Sequence, residues 1–321
     1  MSDALQAYRP PLWLPGRHLQ TIVPSVVAAR PLEGRRETLD VPVAPNATVR
    51  CAVDRSPGRT TGTLLLIHGL GGSADAPYIV RTARHALGRG WTTVRMNLRT
   101  CGGTGRLSAT LCNAGQGDDA GGVLAALDRE GFPRPFVAAG FSLGGNLVAR
   151  YAATSGDACV ADAVVGINPP LDLEGCLRAL ERPGNAIYHL HFVVLLCVQV
   201  GRLRRLRPVA GPSAWPWRIR TLRRFDDGFT APDAGYDSAS AYYAAASAGP
   251  LLPGIRRPTL ILSAENDPFV DVATLEPFRN RSPLARFAHP RGGGHCGYWQ
   301  SGHPRLWAAA AMLDWVDAAL S

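Results

Sequence analysis

The sequence predicts an α/β fold, with a mostly parallel central sheet, helices on both faces and a helical cap inserted into the core. Three observations carry this prediction. Short continuous apolar runs alternate with helical segments, which is typical of parallel strands covered by helices. Glycine-rich loops follow several of those runs directly. The alternation breaks at about residues 171–250 and then resumes, as expected of an insertion.

Length and composition limit the classes of protein to consider. The chain has 321 residues, of which 46% are hydrophobic, enough for a sizeable globular core. No run of 18 apolar residues and no signal-peptide pattern is present, so we expect no transmembrane helix and a cytoplasmic location. The 7 cysteines are scattered without C-x-x-C spacing, which does not suggest a disulfide framework. We expect no metal and no cofactor.

The first 36 residues are expected to form an N-terminal arm docked on the core. Prolines at positions 10, 11 and 15 favour extended chain over helix. Two alternating runs between residues 37 and 53 predict an antiparallel hairpin. The core is then expected to comprise residues 37–170 and 251–321, with the cap over residues 171–250.

A central strand is predicted over residues 63–67, and it runs directly into the loop His-Gly-Leu-Gly-Gly-Ser at 68–73. In such a loop, bare backbone N–H groups can converge on a small volume. The N–H of Leu70 is therefore a candidate oxyanion-hole donor, and we interpret His68 as a structural loop residue. The next strand, over 92–96, ends in a second glycine-rich loop. That loop is not a phosphate-binding one, because GxxxxGK[ST] is absent and the chain has no lysine.

The stretch Gly140-Phe141-Ser142-Leu143-Gly144 follows another apolar run and leads into a helical segment. A strand, Gly-x-Ser-x-Gly and a helix together form a nucleophile elbow, a turn tight enough to lift the serine oxygen out of the sheet. The flanking glycines are needed because a Cβ there would collide with the crossing helix or strand. Ser142 is thus the candidate nucleophile, and the N–H of Leu143 is the other candidate oxyanion donor.

Two later strands end in the candidate acid and base. Asp267 follows the strand predicted over 258–264, and His295 follows the last strand and three glycines. Serine is a poor nucleophile, so a histidine must take its proton and a buried carboxylate must orient that histidine. Asp271 is the alternative acid and His289 the alternative base. We favour Asp267, which follows its strand directly, and His295, which lies on the flexible loop.

The inserted cap contains an apolar run at 192–198, followed by eight arginines and no acidic residue at 201–224. Two interpretations stay open. The helix carrying the run can lie at a membrane surface with its arginines on anionic headgroups. Alternatively, it covers the pocket, with Leu195, Trp215 and Trp217 around an acyl group, and its arginines are solvated. No nucleic-acid partner is expected, because no known binding module accompanies the charge.

Taken together, the motifs resemble an α/β-hydrolase of the YheT-like branch, the predicted esterases related to eukaryotic abhydrolase-domain lipases. The resemblance covers nearly the whole chain and rests on six stretches, namely His18-Leu19-Gln20-Thr21, the loop at 68–73, Asn97-Leu98-Arg99 with Gly102, the elbow with Gly145-Asn146, Asp267-Pro268 and Gly294-His295. It implies the α/β-hydrolase fold, a Ser-Asp-His triad and hydrolysis of carboxylic or lipid esters. Thr100 departs from the pattern, where we expect glycine directly after the arginine.

We therefore expect a serine esterase acting on a small-molecule or lipid ester, in which Ser142 forms an acyl-enzyme and His295 activates water. An acyltransferase or thioesterase would use the same residues and stays an alternative within enzymes. A membrane-surface lipid-binding protein, touching the bilayer through the cap, is the alternative from another class. Dehalogenase and epoxide-hydrolase chemistry is excluded, because both need an aspartate in place of Ser142.

Overall fold

Eight strands form one sheet in the computed structural model, which describes residues 4–34, 36–56, 58, 60–212, 218–301 and 305–321. The strands are β1 (Glu37–Ala44), β2 (Ala47–Asp54), β3 (Gly62–Ile67), β4 (Trp91–Met96), β5 (Phe136–Phe141), β6 (Ala163–Ile167), β7 (Thr259–Leu262) and β8 (Ala285–Ala288). Their order across the sheet is β1-β2-β4-β3-β5-β6-β7-β8. β2 pairs antiparallel with β1 and β4, and every other pairing is parallel.

Helices cover both faces of this sheet. The described α-helices are α1 (Gly16–Val26), α2 (Pro77–Gly88), α3 (Asp118–Arg129), α4 (Leu143–Ser155), α5 (Leu173–Leu180), α6 (Ala186–Leu203), α7 (Leu222–Phe225), α8 (Ala231–Asp233), α9 (Ala239–Ala246) and α10 (Trp307–Leu320). The predicted fold, a mostly parallel sheet between two layers of helices, is confirmed.

The central strands are buried on both faces because their side chains alternate between two apolar layers. Every residue of β3 is buried. Leu64 and Leu66 pack into the layer that contains α2 and α10, whereas Leu65 and Ile67 pack into the layer with α3 and α4. Full burial of one such side chain contributes roughly 1.5–3 kcal/mol, so continuous apolar runs favour this central position. These strands fix the position of the loops at their carboxyl ends.

The prediction of an extended N-terminal arm is wrong for Gly16–Val26, which form α1. Pro15 occupies the N-cap position. Proline costs no helical hydrogen bond there, because the first N–H groups of a helix have no acceptor within it. Pro24 lies inside the helix and lacks the N–H that would bond the carbonyl of Gln20. That carbonyl instead abuts the C-terminal loop, where a Cβ at Gly297 would lie 1.8 Å from it. The arm therefore docks on the core as a helix.

Between β6 and β7 the chain leaves the sheet and forms α5 to α9. One helix of this segment, Pro183–Leu203, is the described helix that is long and apolar enough to cross a membrane by length and composition alone, and 33% of its apolar window is buried. This finding qualifies the expectation that no such helix is present. Trp215 and Trp217, expected to wall the pocket, lie outside the described residues.

Candidate active site

Ser142 occupies the turn between β5 and α4 and has a left-handed φ of 53°. Residues other than glycine rarely adopt that conformation, so the surrounding packing must maintain it. A Cβ at Gly140 would lie 2.0 Å from Gly144 O, and one at Gly144 would lie 2.4 Å from Ile67 O. Only glycine fits at either position. The N–H of Ser142 donates to Ile167 O at 2.8 Å, which ties the turn to the neighbouring strand.

The glycine-rich loop after β3 lies directly beside this turn. A Cβ at Gly69 would be 3.0 Å from the Cβ of Ser142. His68 fixes the loop, because Leu98 N–H donates to its Nε2 at 3.1 Å, which leaves the proton on Nδ1 to donate to Gly69 O at 2.7 Å. Burial lowers the pKa of His68 to about 4 and so keeps the ring neutral. The His68 ring therefore serves the structure of the loop.

Leu70 and Leu143, the candidate oxyanion donors, line the same cavity as Ser142. Leu143 is the first residue of α4, so its N–H is among the donors that have no partner within the helix. Leu70 belongs to the loop that abuts the serine. The two backbone segments that meet at Ser142 are thus those from which an oxyanion hole would have to be built.

His295 and Asp267 form a hydrogen-bonded pair. Nδ1 of His295 lies 2.7 Å from Oδ2 of Asp267, and the two side chains are 9% and 0% exposed. A carboxylate acceptor assigns the ring proton to Nδ1 and leaves Nε2 as a proton acceptor. Burial lowers the pKa of His295, but the Asp267 carboxylate, helped by Cys296, outweighs burial, so the net pKa is raised above the ordinary histidine value.

Nε2 of His295 is buried and has no hydrogen-bond partner in the described part of the chain. The ring packs against Phe269, with ring centroids 4.0 Å apart, and Phe269 lines the cavity that contains Ser142. His295 therefore packs on a residue of the cavity wall but is not itself among the lining residues, and no hydrogen bond joins its Nε2 to the serine. Contacts between a base and its nucleophile commonly tighten only when substrate is bound.

Three further donors hold Asp267. Its Oδ1 accepts the N–H groups of Phe269 and Val270 at 3.0 and 2.9 Å, and its Oδ2 accepts from Asn168 Nδ2 at 2.6 Å. The same amide group donates to Gly294 O at 3.2 Å. Asn168 has a φ of 49°, which asparagine adopts more readily than most residues. Sequence reasoning missed its role; the available signal was an asparagine at the end of a buried strand, before two prolines.

The alternative acid and base have other partners. Asp271 caps a short 3-10 helix by accepting a backbone N–H at 3.0 Å, and it forms an ion pair with Arg182 at 3.7 Å. Nδ1 of His289 lies 3.1 Å from Ser263 O. His289 lines a second cavity, whereas His295 packs on Phe269, which lines the cavity of Ser142.

Helix α1 holds the loop that carries His295. Oε1 of Gln20 accepts the N–H of Gly293 at 2.8 Å, and Oγ1 of Thr21 accepts the N–H of His295 at 2.9 Å. A Cβ at Gly294 would lie 2.6 Å from that Oγ1, so glycine permits the close approach. Sequence reasoning noted the His18–Thr21 stretch only within a family resemblance, because no local pattern shows that residues 274 positions apart meet.

Ser142 lines a cavity of about 120 Å³ between the core and the cap. Its walls are mainly apolar, and the cap contributes Leu173, Leu177, Leu180, Phe192, Leu196 and Leu222. Leu195 was expected in this pocket but is not among the lining residues. It packs against the glycine loop, where a Cβ at Gly71 would lie 2.3 Å from its Cδ2. Phe192 and Leu196, four residues apart on α6, line the cavity, whereas Leu195 contacts the loop beside it.

Comparisons with known proteins agree with this architecture. A family model described as alpha/beta hydrolase fold matches residues 62–301. The chain is 30% identical to the Escherichia coli (strain K12) protein named "Putative esterase YheT", over 94% of this chain and 91% of that protein. It is 24% identical to the Homo sapiens protein named "Phospholipase ABHD3", over 94% of this chain and 75% of that protein. A solved structure of the Pyrococcus furiosus esterase Pf2001 resembles it with a TM-score of 0.59 at 12% identity, over 91% of this chain and 100% of that one, a likeness of fold.

Proposed function

The chain belongs to the α/β-hydrolase family, in its YheT-like branch, and from this premise we propose that it is a serine hydrolase of carboxylic esters. One arrangement carries the proposal. Ser142, at a strained turn, lines a cavity with Leu70 and Leu143, and Phe269 in the wall of that cavity packs on the ring of His295. A nucleophile and two backbone donors on one apolar cavity, with a base packed behind one residue of its wall, suit acyl transfer.

In the proposed reaction, Nε2 of His295 takes the proton of Ser142 as the serine Oγ bonds the ester carbonyl carbon. The carbonyl oxygen becomes an oxyanion, which the N–H groups of Leu70 and Leu143 stabilise. Asp267 keeps the ring in the Nδ1–H tautomer and stabilises it once charged. The bond to the alcohol oxygen then breaks, and the alcohol leaves with the proton from Nε2.

Deacylation repeats these steps with water. His295 takes a proton from the water molecule, whose oxygen attacks the acyl carbon, and Ser142 leaves with the proton that His295 returns. The products are a carboxylic acid and the free enzyme. An acyltransferase or thioesterase would follow the same course with another acceptor or a thioester. The relatives named esterase and phospholipase favour oxygen esters and water as the acceptor.

A panel of 4-nitrophenyl esters of graded acyl length tests the proposal on the purified protein. We expect 4-nitrophenol and free acid to be released in equal amounts, with the fastest turnover at one chain length. Acyl transfer to an added alcohol in preference to water would identify an acyltransferase, and faster turnover of matched thioesters would identify a thioesterase. Failure to turn over any of these esters would contradict the proposal.

A second candidate function, contact with a lipid surface, rests on the outer face of α6. Ile187, Leu190 and Val194 are 65%, 62% and 48% exposed, and their spacing of three and four residues places them on one face of the helix. The inner face of the same helix is buried on the core and the cavity. A soluble helix ordinarily shows polar residues on its outer face, so an apolar one favours burial against a partner.

The N-terminal arm and the arginines after α6 indicate which kind of partner covers this apolar face. Leu12 and Trp13 are 100% and 61% exposed, in the arm that joins α6 through a 3.0 Å contact of His18 Nδ1 with Tyr188 OH. Eight arginines and no acidic residue follow in 201–224. Apolar side chains beside clustered arginines suit a bilayer with anionic headgroups. We therefore propose that α6 and the arm contact such a bilayer, from which a lipid ester can enter the cavity.

Vesicle flotation tests this second candidate. The wild type should float with phosphatidylcholine vesicles that contain phosphatidylglycerol, and Ile187→Ser with Leu190→Ser should reduce the bound fraction. Arg202→Glu with Arg205→Glu should reduce it mainly at low salt, because salt screens exposed charges. Leu284→Ser is the matched control, since this part-exposed leucine precedes β8 at the opposite end of the strands. Equal flotation of all four proteins, or a dimer dispersed by the α6 variant, would contradict the proposal.

A further inference from the structure

One carboxylate in the cavity of Ser142 is not used by the proposed mechanism. Asp226 lines that cavity, and it begins the π-helical segment Asp226–Thr230 between α7 and α8. Such π-helical turns are rare and occur often at functional sites. Thr230, at the other end of this segment, lines the cavity as well. Tyr243 from α9 donates its hydroxyl to Oδ2 of Asp226 at 2.5 Å and also lines the cavity. The cavity is therefore apolar near its leucines and polar at this group of side chains.

The partners of Asp226 differ from those of the acidic residues around it. Asp227 accepts a backbone N–H at 2.7 Å, and Asp233 accepts another at 2.6 Å, so both have a structural role. Arg223, three residues before Asp226, makes a short ion pair with Glu174. Asp226 is bonded to a hydroxyl of the cavity wall instead. Burial raises the pKa of Asp226 to about 6, which shows that the surroundings disfavour its charge. A carboxyl kept at such a cost in a substrate cavity points to a role in recognition.

The order of the reaction indicates which part of the substrate lies in this cavity. The alcohol must leave before water attacks, so it needs an open path from Ser142. The acyl group stays bonded to the serine through both steps and is suited to the cavity beneath the cap. A hydroxyl suits Asp226 in either protonation state, because it donates to a carboxylate and accepts from a carboxylic acid.

We propose that Asp226 is a specificity-determining residue, which binds a hydroxyl group on the acyl chain of the substrate at a distance from the ester. This inference rests on the proposed function and adds the substrate class, a hydroxyacyl ester. The apolar side chains that line the same cavity bind the methylene groups of the chain, and Tyr243 orients the carboxyl that receives the hydroxyl. A plain acyl chain would leave this carboxyl without its substrate partner.

Matched pairs of 4-nitrophenyl esters test the inference, each pair consisting of an alkanoate and the ω-hydroxyalkanoate of the same length. In the wild type, the ratio of kcat/KM for the hydroxy ester to that for the plain ester should peak at one chain length. Asp226→Leu removes the polar partner at similar size and should lower that peak ratio about 10- to 100-fold, the loss expected for one hydrogen bond to a charged group. Turnover of the plain ester should persist.

Asp227→Asn is the matched control, since it changes the adjacent carboxylate outside the cavity and should keep the wild-type ratio. Asp226→Asn preserves shape if Asp226→Leu does not fold, and its ratio should fall by a smaller factor. Wild-type ratios in every folded Asp226 variant would overturn the inference while leaving the esterase proposal intact. If no plain or hydroxy ester is turned over by the wild type, the esterase proposal fails instead.

Discussion

Asn168 donates to Oδ2 of Asp267 over 2.6 Å, and that is the oxygen which faces Nδ1 of His295. Its amide group also reaches the carbonyl of Gly294, the residue before the histidine. One side chain at the end of β6 therefore positions both the proposed acid and the loop that carries the proposed base. Without a donor at this position, the Asp267 carboxylate would be less firmly oriented and its charge less well satisfied.

Asn168→Gly should lower kcat by about 10- to 100-fold, because a hydrogen bond to a charged group contributes ~1.5–3 kcal/mol. Glycine adopts the left-handed backbone at this position without strain, so the variant isolates the loss of the donor. A less stabilised carboxylate attracts the ring proton more strongly, so the acid limb of the pH profile should also move to higher pH. Unchanged kcat together with an unchanged limb would contradict this positioning role.

Ser142→Ala should lower kcat by on the order of 10⁶, leaving only what the backbone donors and binding provide. A fluorophosphonate probe should label the wild type and fail to label the variant, as read by intact-protein mass spectrometry. Ser25→Ala, which changes an exposed serine of α1, serves as the control and should be labelled like the wild type. Equal labelling of wild type and Ser142→Ala would place the nucleophile elsewhere.

Asp267→Asn should lower kcat by on the order of 10⁴, because His295 loses the partner that fixes its tautomer. Asp271→Asn should retain most activity, since Asp271 caps a short helix and pairs with an exposed arginine. Each variant differs from the wild type by one non-hydrogen atom, and both are compared on one ester at one pH. The reverse ranking would show that Asp271 is the acid.

The pH dependence of kcat/KM should reflect the raised pKa of His295. Only the neutral ring accepts the serine proton, so activity falls as the pH drops through the pKa of His295 in the free enzyme. An ordinary histidine would place that loss at about pH 6 to 7, and the Asp267 carboxylate moves it upward. A profile from pH 5 to 10 should therefore show its acid limb above pH 7. A flat profile would indicate that a step other than proton transfer limits the rate.

Asp226 should make the free energy of unfolding fall as pH rises, whereas an ordinary ion-paired carboxylate makes it rise. Burial raises the pKa of Asp226 from its ordinary 3.8 to about 6 in the folded protein. The folded state therefore holds the proton more tightly, and stability falls as pH rises from about 4 to 6, by no more than ~3 kcal/mol from this group. Asp226→Asn should gain stability relative to the wild type at pH 8 but not at pH 4.5, as measured by urea denaturation. An equal difference at both pH values would contradict this.

Sequence-based prediction worked best where local structure alone explains the residue type at a position. Continuous apolar runs such as that of β3 predict a central strand, because only such a strand buries every side chain. Gly140 and Gly144 predict the elbow, because a Cβ would collide there. Helix α1 was missed because prolines were assumed to exclude a helix. Pro15 is instead the N-cap residue, and the carbonyl of Gln20 that Pro24 leaves without a helical donor packs against Gly297.

The remaining parts of the site depend on contacts between distant positions. Asn168 reaches Asp267 across 99 positions, and Thr21 reaches His295 across 274. No local sequence pattern shows which distant residue such an asparagine or threonine contacts.

The position of Leu195 could not be predicted from the sequence either. Its apolar run indicates a buried helix face, but the rotation of α6 decides that Phe192 and Leu196 face the cavity.

The contacts of α1 with the histidine loop have a consequence for synthesis of the chain. Gln20 and Thr21 are synthesised long before their partners in the loop, which follow 273 and 274 positions later. The sheet can assemble from strands made in between, since domains fold as units during synthesis. His295, the proposed base, is then fixed only when α1 and this loop meet. We therefore expect a nascent chain to stay inactive until this loop has been made and has docked on α1, and we expect a protease that removes α1 to abolish the proposed activity.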